Sequence, residues 1–158
     1  MGTEIEHKFL LTGDGWKAHI VRSEQYKQGY LANNERCSVR VRIGDDQAWL
    51  NIKSTTLGTS RTEFDYPVPI ADAGQILEDL CARPIIEKTR HFVEHEGHLW
   101  EIDVFAGDNE GLIVAEIELS SEGENFVRPD WIGADVSYDR RYYNSALVEH
   151  PYKTWRGQ

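Results

Sequence analysis

Apolar and polar residues alternate along most of this chain, and a period of two is the signature of strands whose two faces meet different surroundings. Residues 3–11, 26–32, 37–43, 48–54, 61–68, 86–94, 98–105 and 113–120 all read this way. Gly44-Asp45-Asp46-Gln47 and Glu96-Gly97 supply tight turns between neighbouring runs. Helical spacing is rarer. Residues 71–82 carry Ile76, Leu77, Leu80 and Cys81 at helical spacing, with Pro84 as a stop. Residues 13–20 are a weaker helical candidate. Asp139 is placed to cap a helix running through Leu147, with Tyr143 and Leu147 on one face and Pro151 beyond its end. No repeat or linker divides the chain. The expectation is one α+β, mostly β domain over residues 1–158, built on an antiparallel sheet or barrel of eight strands with a few helices outside.

The polar faces of these strands are unusual. Alternation places Glu4, Glu6 and Lys8 on one side of the first strand, opposite Ile5. Arg40 and Arg42 share a side opposite Val39 and Val41, and Lys53 stands opposite Leu50 and Ile52. Arg61, Glu63 and Asp65 share a face, as do Lys88 with Arg90, Glu101 with Asp103, and Glu116 with Glu118. A solvated antiparallel face is ordinarily polar, so one such strand needs no explanation. Here several pairs are sorted by sign. Residues two apart on a strand lie only ~6.6 Å apart along it, so like-charge pairs repel, and more strongly in a low dielectric. If the strands close into a barrel with these faces inward, the interior is a polar tunnel with acidic and basic walls. Such an interior must be solvated, paired or filled by ligands.

The residue types indicate the filling. Glu4, Glu6, Glu116 and Glu118, in two E-x-E pairs, are hard oxygen ligands suited to Mg²⁺ or Mn²⁺. The Arg and Lys pairs suit an anion with many oxygens, because arginine forks match phosphate bidentately. A divalent cation with several phosphates satisfies both walls.

Composition narrows the alternatives. The 158 residues carry a net charge of −10, against a generic nucleic-acid binder. With 40% hydrophobic residues, 5 Trp, 7 Tyr and 5 Phe, the chain can build a core. No apolar run approaches the ~20 residues of a membrane-spanning helix. The N-terminus shows no signal-peptide pattern, and Cys37 and Cys81 form no CxxC pair, so free thiols and a cytoplasmic location are expected.

Glu4-Ile5-Glu6-His7-Lys8 resembles the E-x-E-x-K signature of the CYTH superfamily, the triphosphate tunnel metalloenzymes. The resemblance continues through Ser38-Val39-Arg40-Val41-Arg42, Lys53, Arg61-Thr62-Glu63, Lys88-Thr89-Arg90, Glu101-Ile102-Asp103 and Ala115-Glu116-Ile117-Glu118 to Asp139-Arg140-Arg141-Tyr142-Tyr143-Asn144, over about residues 4–147. It implies an eight-stranded antiparallel tunnel that binds triphosphates with divalent metal. By motif, Glu4, Glu6, Glu116 and Glu118 would be metal ligands or near-ligands, and Lys8, Arg40, Arg42, Lys53, Lys88 and Arg90 would bind phosphates. Glu63, Glu101 and Asp103 would hold a second metal, orient water or pair with the basic wall, and Arg61 would bind substrate or neutralise Glu63. Lys8, Glu63 and Asp103 are the catalytic candidates, with Glu116 a further candidate for positioning water.

Short single-domain bacterial relatives of this kind are largely inorganic tripolyphosphatases. The implied reaction is metal-dependent hydrolysis of tripolyphosphate to pyrophosphate and phosphate, with a small-molecule substrate, no nucleic acid, no membrane, and a homodimer left open. The class IV adenylate cyclases of the superfamily carry a His-Phe element before E-x-E-x-K, and only Met1-Gly2-Thr3 precedes it here. The alternatives are a nucleoside or thiamine triphosphatase or a cyclase on the same scaffold, and a non-catalytic polyphosphate or nucleotide binder. The six His show no ligand spacing, with His7 on the outward phase of its strand, and the five Trp read as packing. Tyr30 is read equally as tunnel lining or packing.

Overall fold

A computed structural model describes residues 2–155. The elements, in chain order, are β1 (Glu4–Leu11), β2 (Ile20–Asn33), β3 (Cys37–Ile43), β4 (Ala48–Ser54), β5 (Ser60–Arg61), β6 (Glu63–Val68), α1 (Ile70–Asp79), β7 (Ile86–His95), β8 (His98–Phe105), β9 (Ile113–Leu119), β10 (Ile132–Asp135) and α2 (Asn144–Glu149). Short 3-10 turns lie at Gly15–His19, Gly107–Asn109, Arg140–Tyr142 and Tyr152–Thr154. Each of the eight expected strand segments is present. The run at 61–68 is divided at Thr62 into β5 and β6, β2 begins earlier than expected, and β10 is additional. The candidate helix at 13–20 is a 3-10 turn. Among the described residues no helix is long and apolar enough to cross a membrane.

Every strand pairing is antiparallel, in the order β10-β1-β9-β8-β7-β2-β3-β4-β6, with β5 on β1. The ladder does not close continuously. One edge of β1 is shared instead: β5 pairs with Glu4 and Ile5, and β10 with Phe9 and Leu11. Because β5 runs on into β6, this short pairing joins the two sides of the curled sheet. Gly2 and Glu63 exchange backbone hydrogen bonds (3.1 and 3.2 Å), and the Glu6 amide donates to Thr59 O (2.9 Å). The result is a barrel-like tunnel with a short seam.

The period of two sorts the side chains as the sequence requires. Phe9, Ala115 and Ile117, in phase opposite to Lys8 and Glu116, are fully buried with Trp100 and Ile102 in an outer cluster. Helices were expected to cover this face. Trp16 from the first 3-10 turn, and Phe126 and Trp131 from the connection between β9 and β10, cover it instead. His7 stacks there on Phe9, as its outward phase predicts. α1 covers a second patch, with Ala73 and Leu77 on Val41 and Ala48. It ends before Leu80, which is exposed.

The C-terminal helix differs most from expectation. Asp139 caps a 3-10 turn, accepting from the Arg141 amide (3.1 Å). The chain then turns extended at Tyr143 before α2 begins. That break lets the Tyr143 ring turn inward, where its hydroxyl donates to Ser137 O (2.6 Å) and accepts from the Gly58 amide (3.1 Å). α2 packs Leu147 and Val148 against Tyr30, Ile86, Phe105 and Val114. Ile86, Phe105 and Val114 share strand faces with Lys88, Asp103 and Glu116, so α2 sits on the inner face at one end of the tunnel rather than outside it.

Gly29 on β2 marks how closely the α1 segment docks. A Cβ there would lie 2.7 Å from Cys81 Cβ and 2.9 Å from Leu77 Cδ1. Gly29→Ala is therefore expected to destabilise the fold by about 1–3 kcal/mol through overpacking. Urea unfolding measures this, and unchanged stability would contradict the packing described.

Candidate functional site

The inner face encloses a cavity of about 640 Å³. Glu4, Glu6 and Lys8 of β1, Arg40 and Arg42 of β3, Lys53 of β4, Arg61 of β5, Glu63 of β6, Lys88 and Arg90 of β7, and Glu116 and Glu118 of β9 all line it. The register makes this possible by setting Lys8 and Glu101 opposite Glu116, Glu6 opposite Glu118, and Lys53 opposite Glu63.

Asp103 is the exception. It is fully buried behind the wall. Its Oδ1 accepts from Arg90 Nε (2.8 Å), and its Oδ2 accepts from Arg90 Nη2 (3.0 Å) and Lys88 Nζ (2.8 Å). Burial disfavours its charge, but Arg90 and Lys88 outweigh that and carry the carboxyl down to about 2. Both oxygens are committed to cations, so Asp103 organises the basic wall. Of the roles the resemblance implies for Asp103, this geometry is that of pairing with the basic wall, not the catalytic one.

The acidic wall centres on Glu6, Glu101 and Glu116, which bring carboxylate oxygens within 4.8 Å of one another. Burial, then Glu116 and Glu4, pushes the Glu6 carboxyl well above its ordinary range. Glu116 is held well below: burial opposes its charge, but Lys8 at 3.6 Å and the hydrogen bond with Glu6 outweigh it. Burial likewise raises Glu101, against the pull of Arg90 at 3.3 Å. Burial and mutual repulsion thus oppose full charge on this cluster. The oxygen-only donor set fits a hard divalent cation, which would offset that repulsion. Glu101, one of the residues implied for a second metal, joins Glu6 and Glu116, while Glu4 pairs with Lys53 Nζ (2.9 Å) and Glu118 lines the cavity at an exposed position.

The basic wall holds a reserve of unpaired charge. Lys53 is taken by Glu4 and Glu63, and Glu63 also accepts from Asn51 Nδ2 (2.9 Å). Among the described residues Arg40 and Arg42 form no ion pair, and the Nε of each is buried without a hydrogen-bond partner. Burial, then Arg40 and Arg90, lowers the pKa of Arg42. Its guanidinium lies over the Tyr26 and Trp49 rings at 4.6 and 5.2 Å. Tyr30 both lines the cavity and packs in the α2 cluster. Arg61, at the cavity lining, donates to Gly58 O (2.8 Å) and lies over the Tyr143 ring.

Sequence reasoning missed several lining residues, among them Ser38, Asn51 and Asn144. Uncharged polar residues in strands give no signal. Asn144 reaches the cavity only because the tail folds back.

A family model described as CYTH domain matches residues 2–145. The chain belongs to the CYTH domain family. It is 47% identical over 156 residues to a protein named inorganic triphosphatase from Acetivibrio thermocellus, covering 99% of both chains. It is 34% identical over 151 residues to one of the same name from Nitrosomonas europaea, covering 92% of this chain and 97% of the relative. Among solved structures, that of the inorganic triphosphatase NE1496 matches with a TM-score of 0.65 at 31% identity, over 94% of this chain and 95% of that one. The PH1012 protein of Pyrococcus horikoshii OT3 has a similar fold at 15% identity and a TM-score of 0.59, over 76% of this chain and 80% of that one.

Asp103 gives a pH prediction. Its carboxyl titrates lower in the folded protein, about 2 against the ordinary 3.8. The stability it contributes is complete above the unfolded value and is lost as pH falls through the folded one. Wild-type stability from urea unfolding is expected to fall between about pH 4 and pH 2. Asp103→Asn is expected to be less stable at pH 7 by about 3–5 kcal/mol, because two buried cations lose their anion, and to show a shallower acid slope. Equal slopes would contradict the assignment.

Proposed function

We propose that this chain is an inorganic tripolyphosphatase, hydrolysing tripolyphosphate to pyrophosphate and phosphate with Mg²⁺ or Mn²⁺. The observation that carries the reading is the pairing of two incomplete walls across one cavity: the crowded Glu6–Glu101–Glu116 carboxylates and the unpaired Arg40 and Arg42. Proteins named inorganic triphosphatase, aligned over nearly the whole chain, support it.

In this reading Arg40, Arg42, Lys8, Lys53, Lys88 and Arg90 hold the phosphate oxygens, with Arg61 bracing the loop beside them. Glu6, Glu101 and Glu116 hold the cation, with Glu4 and Glu118 beside them. A divalent cation bound there supplies charge neutralisation for the phosphate oxygens and the leaving pyrophosphate. Water attacks a terminal phosphorus in line, and the bond from that phosphorus to the bridging oxygen breaks. The basic wall stabilises charge on the equatorial oxygens and on the departing group. Glu63, fixed by Lys53 and Asn51 at the cavity wall, is a candidate for orienting the water. Lys8 bridges the walls, donating to Tyr142 O (3.2 Å) and pairing with Glu116.

An inorganic rather than a nucleoside triphosphate fits the lining. Among the described residues Tyr30 and Tyr143 are its only aromatics, and both are largely buried in packing. Neither offers an open face for stacking a base. We also assign the chain to a single domain over residues 1–158, working on a small-molecule substrate in the cytoplasm.

Phosphate release from tripolyphosphate is expected with Mg²⁺ or Mn²⁺, to vanish with EDTA, and to exceed release from ATP. Faster ATP turnover would move the reading to a nucleotide enzyme, and no turnover by folded protein would overturn it. Glu6→Gln is expected to abolish metal-dependent turnover. Arg40→Ala is expected to lower kcat/KM by about 10–100-fold, the worth of a hydrogen bond to a charged group. Unchanged values would reject those assignments.

A further inference from the structure

Asn144 opens α2, 56 residues from Lys88 in sequence, yet is buried against the tunnel wall. Its Oδ1 accepts from Lys88 Nζ (3.0 Å) and from Gln28 Nε2 (2.8 Å). Gln28 is itself fully buried. Two donors converging on one oxygen fix the orientation of the Asn144 amide, since turning it would set NH₂ against both. Lys88 Nζ also donates to Asp103 Oδ2 (2.8 Å). An ammonium has three protons. Asn144 and Asp103 account for two, and the third is left for the cavity that Lys88 lines.

We propose that Asn144 is a positioning residue: its Oδ1 pins the Lys88 ammonium so that the remaining N–H is presented to a substrate phosphate oxygen. The inference rests on the triphosphatase reading and extends it to the C-terminal tail. The tail thereby joins the phosphate-binding wall, with α2 seated by Leu147 and Val148 to bring the amide to Lys88. A neutral acceptor suits this position. It orients the ammonium without cancelling the charge that the phosphates need, whereas Asp103 behind it already supplies an anion.

The groups facing Lys88 are Asp103 from β8, Arg90 from β7, Glu116 from β9, Arg40 from β3, Gln28 from β2, the Phe105 ring at 5.6 Å, and Asn144 itself. Burial lowers the Lys88 pKa to about 7, against the pull of Asp103. Its titration is thus sensitive to one acceptor gained or lost. Asn144→Ala removes an acceptor from the charged form and is expected to move the Lys88 titration down in pH. Asn144→Asp keeps the size and the acceptor, adds negative charge, and is expected to move it up by about one unit or more. General loosening of the tail would not move it in opposite directions.

The test follows Lys88 Nζ by NMR of lysine-labelled wild-type, Asn144→Ala and Asn144→Asp protein, beside the pH dependence of kcat/KM with tripolyphosphate. Expected are opposite shifts in the two variants, and a kcat/KM for Asn144→Ala lower by about tenfold. Adding Asn144→Ala to Lys88→Met is expected to cause no further loss, because the amide acts through the amine. A Lys88 titration unmoved in both variants, or moved the same way, would overturn the inference, as would losses that multiply. Should the alanine variant fail to fold, the direction of the Asn144→Asp shift decides. Wild-type protein that fails to hydrolyse tripolyphosphate would sink the triphosphatase reading, while the NMR titration still decides the Asn144–Lys88 contact.

Discussion

A charge removed from water must meet a charge of opposite sign or remain costly, and the inner face of this sheet is built around that constraint. Asp103 takes up Lys88 and Arg90, Glu4 takes up Lys53, and Glu116 takes up Lys8. This pairing does not even out the charge locally. Glu6 has no cation partner among the described residues and crowds against Glu101 and Glu116, which are themselves paired with Arg90 and Lys8, while two guanidiniums stand without ion partners on β3. Both sets face the same cavity. A polyanion carrying a divalent cation is the kind of guest that satisfies both at once.

The outer surface follows from the inner one. With charges turned inward, the apolar phase of each strand faces out and has to be covered. Trp16, Phe126 and Trp131 do this from turns and connections, and α1 does it over β3 and β4. The exception is α2, which packs on inner-face residues. It closes apolar surface around Ile86, Phe105 and Val114 and, through Asn144, reaches the charged wall. The same tail secures the seam, where the Tyr143 hydroxyl joins Ser137 to Gly58.

Much of this was legible in the sequence because strand alternation assigns faces without knowledge of pairing. A period of two puts Glu4, Glu6 and Lys8, Arg40 and Arg42, Lys88 and Arg90, and Glu116 and Glu118 on shared faces, with Lys53 opposite Leu50 and Ile52; that these faces turn inward depends on the sheet curling into a tunnel. Which charges neutralise which depends on register, and register is a tertiary fact. Glu101 stands opposite Glu116, and Asp103 lies opposite Arg90, only once β7, β8 and β9 are aligned. For that reason alternation alone leaves Glu101 and Asp103 with the same three readings, a second metal, water orientation or pairing with the basic wall, and the register separates them. β10 is short and carries no strong alternation, and the division at Thr62 reflects a change of partner from β4 to β1. Asn144 stands in the sequence only as the last residue of the closing motif, inside the helix expected after Asp139, and its place at the wall depends on the break at Tyr143.

The central claim is that the two walls are completed together by one guest. Thermal unfolding with Mg²⁺ alone, tripolyphosphate alone and both together measures this directly, since a ligand of the native state raises its apparent stability. The account predicts that the combination raises Tm by more than the two separate shifts added, because cation and phosphates neutralise facing walls and each other. A combined shift no larger than that sum, or no shift at all, would contradict it.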